Sequence, residues 1–558
     1  MSLTLDEIQN FKGKYPKQIW SLFFSEMWER FCFYGMRGML VFFMISQLNF
    51  HEKEANLQYG ATQAFVYAFT FVGGLFADKI LGFRKSLFWG GLLMIVGSLI
   101  LATDPHKFFF LGIAFTVVGT GFFKPNISSM VGQLYKPNDS RADAGFSLFY
   151  AGINLGALLG GYLCITIGKG ELFAHLIPEG LHWNVAFGLA AIVMVISLIN
   201  FVFTQKSLGT IGLQPEIENI VTKKNSKKFL AGVVLIYLFV LRMFFRFTGN
   251  STEFKSEVNS IIINLAIITI IFATISYLFY LGGKYLKYAV YILSLAFIPL
   301  IMIMVSVPEY TDYFMWTVGP LTLIYLFYEM TKVTPSERKK LWAALVFILF
   351  SILFWGIYEQ SGGSLSIFAA KNLNKDLFGL DPNGVNNSGG AFFIIFLAPL
   401  IGLLWIWLNK RKIEPNTIIK FGLGFIFLGL GYYVLFATRL FVNLQGITSL
   451  NFFTLALLII TLGELCLSPI GLSIMTKLST KNLQGMMMGM WFLASAYGQY
   501  VAGIIGAGLA TAKEGSSNYD AFITYTNGYK QLGLYAVIAG VVLILISPIV
   551  KKLMQEVK

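Results

Sequence analysis

Charge is scarce in this chain. Of its 558 residues, 13% are Asp, Glu, Lys or Arg and 56% are hydrophobic, whereas soluble domains carry roughly 25% charge to coat their surfaces. The shortage excludes a water-soluble globular protein and makes the bilayer the natural solvent. Histidine is rarer still. His51, His106, His175 and His182 are the whole set, and all lie in loops or at the edges of apolar runs. No imidazole is placed to carry protons in mid-membrane, so any proton transfer there would have to run on carboxylates. Cysteine is limited to Cys32, Cys164 and Cys466, each inside an apolar run, which excludes a disulfide framework and a thiolate metal cluster. Acids are outnumbered by bases, 28 to 42, for a net charge of +14. No nucleic-acid partner follows, because the bases sit in short loops between apolar runs and report topology. Residues 1–17 are polar and the first apolar run holds charges, so no cleavable signal peptide is expected.

What the chain has is apolar runs long enough to span a bilayer, which takes about 20 residues. Core spans are read at 18–46, 57–78, 85–103, 107–131, 143–166, 183–205, 341–369, 389–408, 418–441, 451–476, 485–510 and 530–550. Between the sixth and seventh lie four further apolar stretches, near 229–247, 259–281, 287–306 and 313–330. Three regions are expected: an N-terminal six-helix bundle at 1–205, an insert with two to four extra membrane helices at 206–340, and a C-terminal six-helix bundle at 341–558. Basic clusters fall at the termini or after even-numbered core spans. Examples are Lys79, Arg84 and Lys85; Lys136 and Arg141; Lys223, Lys224, Lys227 and Lys228; Lys410, Arg411 and Lys412; Lys477 and Lys481. The positive-inside rule then puts both termini, and the tether of the insert, in the cytoplasm. The expected fold class is an all-α integral membrane protein, and its six-plus-six plan resembles the major facilitator fold.

Ionisable groups inside a membrane are expensive and functional by default. Within the core spans they are Glu26, Glu29, Arg30 and Arg37 in the first, Lys124 in the fourth, Glu359 in the seventh and Glu464 in the tenth. Spans 1, 4, 7 and 10 are equivalent positions under a three-helix repeat. Glu26, Arg30, Tyr34 and Arg37 recur at spacings of four, four and three, which places them on one helix face with Glu29 at its edge. Glu26 can pair with Arg30, leaving Glu29 with a weaker partner, and desolvation favours the protonated form of a carboxylate. Buried structural ion pairing is the alternative reading of this set.

Residues 26–35, EMWERFCFYG, resemble the ExxERFxYYG motif of the proton-dependent oligopeptide transporter family. The resemblance continues through GGLFADKILGFRK at 73–85, GTGFFKPNIS at 119–128, FYAGINLG at 149–156, FWGIYEQ at 354–360, GELCLSPIGLS at 463–473 and MGMWFL at 488–493. The insert is the one long region without a clear counterpart throughout the family.

The resemblance implies a proton-coupled symporter that imports di- and tripeptides by alternating access. It implies that Arg30, Arg37 and Lys124 receive the peptide carboxylate, and that Glu464, helped by Asn154, receives the ammonium. Tyr34, Tyr67, Tyr150, Trp355 and Trp491 would wall the side-chain pockets, with Ser468 close by. Glu26, Glu29 and Glu359 are the implied proton-coupling groups, Glu359 exchanging partners with Lys124. By the same resemblance Asp78, Arg84 and Lys85 would form a gating latch on the cytoplasmic side. Three positions depart from the family pattern: Phe33 replaces the first Tyr of the YY pair, Gly390 stands where helix 8 commonly carries Asn, and Gly60 stands where animal members carry His. The last, with a short 442–450 loop, reads as bacterial, so the expected location is the inner membrane. The partners implied are a small peptide, protons and the lipid bilayer, with no metal, no cofactor, no nucleic acid and no obligate protein partner. The rival cargo is another small solute such as a drug, nitrate or an amino-acid-like molecule. A membrane-embedded enzyme is the remote rival; it would need a nucleophile–base pair or a metal motif such as HExxH within the spans, and the sequence has neither.

Overall fold

The computed structural model describes residues 3–136, 139, 141–215, 230–242, 258–467, 471–479, 483–510 and 517–555. Expectations for Ser468, Lys223, Lys224, Lys227, Lys228 and Lys481 lie outside the described residues. Core helices one to six are Gln18–Ser46, Glu52–Phe76, Phe83–Thr103, Phe109–Gln133, Ala142–Gly168 and His182–Thr204. Helices seven to twelve are Pro335–Tyr358, Pro382–Lys410, Thr417–Ala437, Leu450–Leu467, Gln484–Leu509 and Asn518–Leu545.

Twelve described helices are long and apolar enough to cross a membrane. The first core helix is not among them, because its four charges interrupt the apolar run. An insert helix, Leu286–Ser306, is. Several helices start well before the spans read from hydropathy: the eighth at Pro382 rather than 389, the twelfth at Asn518 rather than 530. Capping, not apolarity, sets these ends. Asp381 accepts from the Gly384 amide at 2.8 Å with Pro382 in the first turn, and Ser517 and Asp520 form a capping box. The seventh span is broken by a tight turn at Glu359–Gly362 before resuming as Ser364–Asn372.

Two halves repeat one packing plan. The first core helix lies along the fifth, the third along the fourth and sixth; the seventh lies along the eleventh, the ninth along the tenth and twelfth. The halves meet along two seams, second with eleventh and fifth with eighth, which a two-fold operation would exchange. Glycine permits the closest crossings, as expected where helices associate without a hydrophobic driving force. A Cβ on Gly156 or Gly160 would collide with the carbonyls of Met27 and Phe31, so the fifth helix presses directly on the first. At the second–eleventh seam a Cβ on Gly60 would lie 2.6 Å from the Cα of Gly503; backbone contact there leaves no room for a side chain of any kind.

The seating of the first helix yields a stability expectation. Gly160→Leu should cost about 1–3 kcal/mol, as overpacking of a tight interface does, and lower the melting temperature of detergent-purified protein. Gly402→Ala, where a Cβ meets nothing within 4 Å, should leave it unchanged.

The insert packs outside this frame. Its helix Pro308–Met330 covers the second–eleventh seam, where Tyr500 donates to Asp312 at 2.6 Å and Tyr497 to the Met315 carbonyl, and Gln58 donates to the carbonyl of Ser306, the end of Leu286–Ser306, at 3.1 Å. Trp89 of the third core helix donates to Ser294 at 2.9 Å.

Candidate functional site

A cavity of about 410 Å³ lies between the halves, within the ~300–1,000 Å³ span of small-molecule sites. Helices one, two, four and five line one side; seven, eight, ten and eleven line the other. Glu26, Arg30, Tyr34, Arg37, Tyr67, Lys124, Tyr150, Asn154, Trp355, Glu359, Glu464 and Trp491 all face it, whereas none of the described residues of 206–340 lines it. Glu29 sits behind the wall, fully buried.

The charges fall into two kinds, those already matched and those left open. Arg30 donates from Nε to Glu26 at 2.7 Å, and the same nitrogen is 3.1 Å from Glu29. Arg37 pairs with Glu359 across the two halves and donates from Nε to the Tyr59 hydroxyl at 2.7 Å. Lys124 has no carboxylate partner among the described residues; its ammonium sits 4.2 Å above the Tyr67 ring and 5.7 Å from that of Phe33. Glu464 likewise has no ion-pair partner among the described residues and accepts a hydrogen bond from the Tyr358 hydroxyl. Of the three cations expected to form one pole, Arg30 and Arg37 are paired with carboxylates and Lys124 is not, among the described residues. What remains is one lysine and one glutamate, on opposite halves of a single cavity. Asn154 lines the cavity, and its amide donates to its own helix at the Tyr150 carbonyl, 2.9 Å away.

Glu29 is the least satisfied of the carboxylates. Neither of its oxygens accepts a hydrogen bond, although Arg30 is close. Its position one residue from Arg30 turns the side chain sideways off the face that Glu26 and Arg30 share.

Among the described residues four ion pairs join the halves: Arg37–Glu359, Lys169–Asp381, Lys371–Glu52 at 2.5 Å and Lys375–Glu171 at 2.5 Å. All lie toward the face formed by loops after odd-numbered core helices, here called the distal face; the opposite face carries the chain ends. Tyr525 donates to Glu52 at 2.5 Å and Asn387 donates to the Gly38 carbonyl at 3.2 Å, adding to this seal.

The expected latch has a different geometry. Asp78 pairs with its neighbour Lys79 at 2.9 Å, both exposed. Arg84 instead donates to the Ile211 and Gly209 carbonyls, each at 2.6 Å, and Lys85 donates to Gln214 at 2.6 Å. The chain reverses direction at Gly82, where φ is +75°, and this carries Arg84 away from Asp78 and onto the segment after the sixth helix.

Tyr358 lines the cavity and Tyr59 accepts from Arg37 beside it, and both escaped the sequence reading. Tyr59 lies eight residues before Tyr67 on the same helix face, and Tyr358 three after Trp355. Both spacings are visible in the sequence, but an uncharged residue in an apolar run gives no signal of its own.

A cavity lined from both halves by opposed charges, between two related six-helix bundles, defines a membrane transporter of the major facilitator fold. The chain belongs to the POT family, whose profile matches residues 84–314 and 311–520. It is 30% identical to "Peptide transporter YePEPT" of Yersinia enterocolitica, over 97% of this chain and 96% of the relative. Identity to a "Di-/tripeptide transporter" of Lactococcus lactis is also 30%, over 97% of each. A crystal structure of a mutant peptide transporter POT in complex with alafosfalin superposes with a TM-score of 0.72 at 29% identity, covering 99% of this chain and 100% of that one.

Proposed function

We propose that this protein imports di- and tripeptides together with protons by alternating access. One observation carries the substrate class: Lys124 and Glu464 are open charges of opposite sign across one cavity, and a peptide offers a carboxylate and an ammonium about 7 Å apart when two residues long. Lys124 receives the carboxylate and Glu464 the ammonium. Tyr34, Tyr67, Tyr150, Trp355 and Trp491 supply apolar area without demanding one hydrogen-bond pattern, which suits varied side chains. The names of the relatives agree with this cargo.

A count of charge supports proton coupling. The site holds three cations, Arg30, Arg37 and Lys124, and four carboxylates, Glu26, Glu29, Glu359 and Glu464. One proton balances it, and Glu29, buried without hydrogen bonds, is the carboxylate for which carrying charge is dearest. Glu359 is the second coupling group, because its bond to Arg37 closes the distal face and must break for that face to open. The basic loops support cytoplasmic chain ends, and the membrane proposed is the bacterial inner one. On that orientation the structure is sealed toward the outside, and the Asp78, Arg84 and Lys85 region governs the cytoplasmic side. The insert crosses the membrane as helices beside the second–eleventh seam.

The test is uptake of labelled dialanine by liposomes containing the purified protein. Accumulation should follow an imposed inward proton gradient and vanish when a protonophore collapses it. Uptake indifferent to both pH and voltage would refute the coupling; no uptake, and no competition by dialanine against other solutes, would refute the cargo.

A further inference from the structure

The Glu464 carboxylate already has one partner inside the protein. The Tyr358 hydroxyl donates to its Oε2, while Oε1 accepts no hydrogen bond among the described residues. Tyr358 comes from the seventh helix, one residue before Glu359, and its ring is fixed by packing rather than by that bond alone. It stacks on Phe354 with centroids 5.7 Å apart and an interplanar angle of 16°, and meets Trp355 edge-on at 5.3 Å.

Across from it the eighth helix carries Gly390. A Cβ at Gly390 would lie 3.8 Å from the Tyr358 hydroxyl and 3.9 Å from the Thr461 hydroxyl, which is ordinary contact. The phenol therefore stands where a side chain from position 390 would point. Thr461 gives its proton to the Leu457 carbonyl at 2.7 Å, so it is no donor to the cavity, and it makes no bond to Glu464 among the described residues.

A phenol whose proton is directed at a carboxylate keeps its oxygen lone pairs for another donor. An ammonium brings three N–H donors and loses much of its binding energy if they are left unmatched away from water. We propose that Tyr358 determines specificity for a free amino terminus: its oxygen accepts one N–H of the substrate ammonium while its proton stays on Glu464. The pair, and not Glu464 alone, then receives the ammonium, and the seventh helix supplies the acceptor that Gly390 does not. The inference rests on the reading that Glu464 binds the ammonium.

The experiment measures dialanine uptake and its inhibition in proteoliposomes for the wild type, Tyr358→Phe, Tyr358→Phe with Gly390→Asn, and Glu464→Gln. Tyr358→Phe should raise KM for dialanine about tenfold, the factor that loss of a hydrogen bond to a charged group produces, with a much smaller change in maximal rate. Inhibition by N-acetyl-dialanine, which lacks the ammonium, should not move. Adding Gly390→Asn should restore KM towards the wild-type value, because an amide there offers a new acceptor. Equal weakening of free and acetylated peptide would assign Tyr358 a packing role and overturn the proposal. An unchanged KM in Tyr358→Phe alongside a raised one in Glu464→Gln would overturn it while sparing the ammonium site. If Glu464→Gln also leaves KM unchanged, the underlying reading falls. Should the Phe variant fail to insert, the wild type gives the same answer with methylated competitors. N-methyl-dialanine keeps two N–H donors and should compete nearly as well as dialanine, whereas the N,N-dimethyl form, with one, should be about tenfold weaker; equal competition by both would overturn the proposal.

Discussion

Glu29→Gln is expected to abolish accumulation of dialanine against its gradient while leaving exchange of internal for external peptide intact. One proton moved with the peptide across 100 mV is worth about 2.3 kcal/mol, or about 50-fold accumulation. A glutamine keeps the shape of the protonated glutamate but can neither release nor take up the proton, so the variant should equilibrate peptide and go no further. The structural ground is that Glu29 is wholly buried, bears no hydrogen bond on either oxygen, and lies outside the wall that would touch cargo. Accumulation at the wild-type ratio in Glu29→Gln would move the coupling role to Glu359 or Glu26.

The second large effect is expected at Arg30, which alone stands between two buried carboxylates. Arg30→Met should destabilise the protein by about 3–5 kcal/mol, since removing one member of a buried ion cluster strands the charges left behind. The measurement is the melting temperature in detergent together with the fraction inserted in the membrane. Glu26→Gln added to Arg30→Met should recover much of the stability, because only Glu29 then needs a proton. Transport should stay lost, as the cavity's balance of charge is gone. If the single variant is as stable as the wild type, Glu26 and Glu29 do not depend on Arg30 for their place in the fold.

Much of this arrangement was legible because the bilayer makes charge conspicuous. Glu26, Arg30, Lys124, Glu359 and Glu464 stand out from apolar surroundings, and each lines the cavity. The i, i+4 spacing also gave the Glu26–Arg30 bond, since helix geometry alone dictates it. Pairings between distant helices were another matter. Nothing in the spacing tells that Arg37 meets Glu359 or that Arg84 reaches the Gly209 and Ile211 carbonyls; those depend on how the helices cross. Uncharged members such as Tyr59 and Tyr358 were hidden for a simpler reason, because a tyrosine in an apolar helix looks like packing until its hydroxyl has a partner. Helix ends were misplaced wherever a polar cap carried the helix beyond its apolar run, as Asp381 and Ser517 do.

The backbone contact between Gly60 and Gly503 works as an off-centre fulcrum. At 1.5 Å per residue, the second helix runs about 12 Å from Gly60 to Glu52 on the distal side and about 24 Å to Phe76 on the other. The eleventh helix is divided the same way, about 9 Å to Leu509 and about 28 Å to Gln484. Where two backbones touch they cannot close further, so the halves can only roll about that point. The unequal arms set a mechanical ratio of at least two to one: a shift of about 2 Å that parts the distal ion pairs swings the far ends by 4 Å or more, on the order of a side chain. Breaking a few short bonds at the distal end is thereby geared to the closing of a gap about as wide as a side chain at the other.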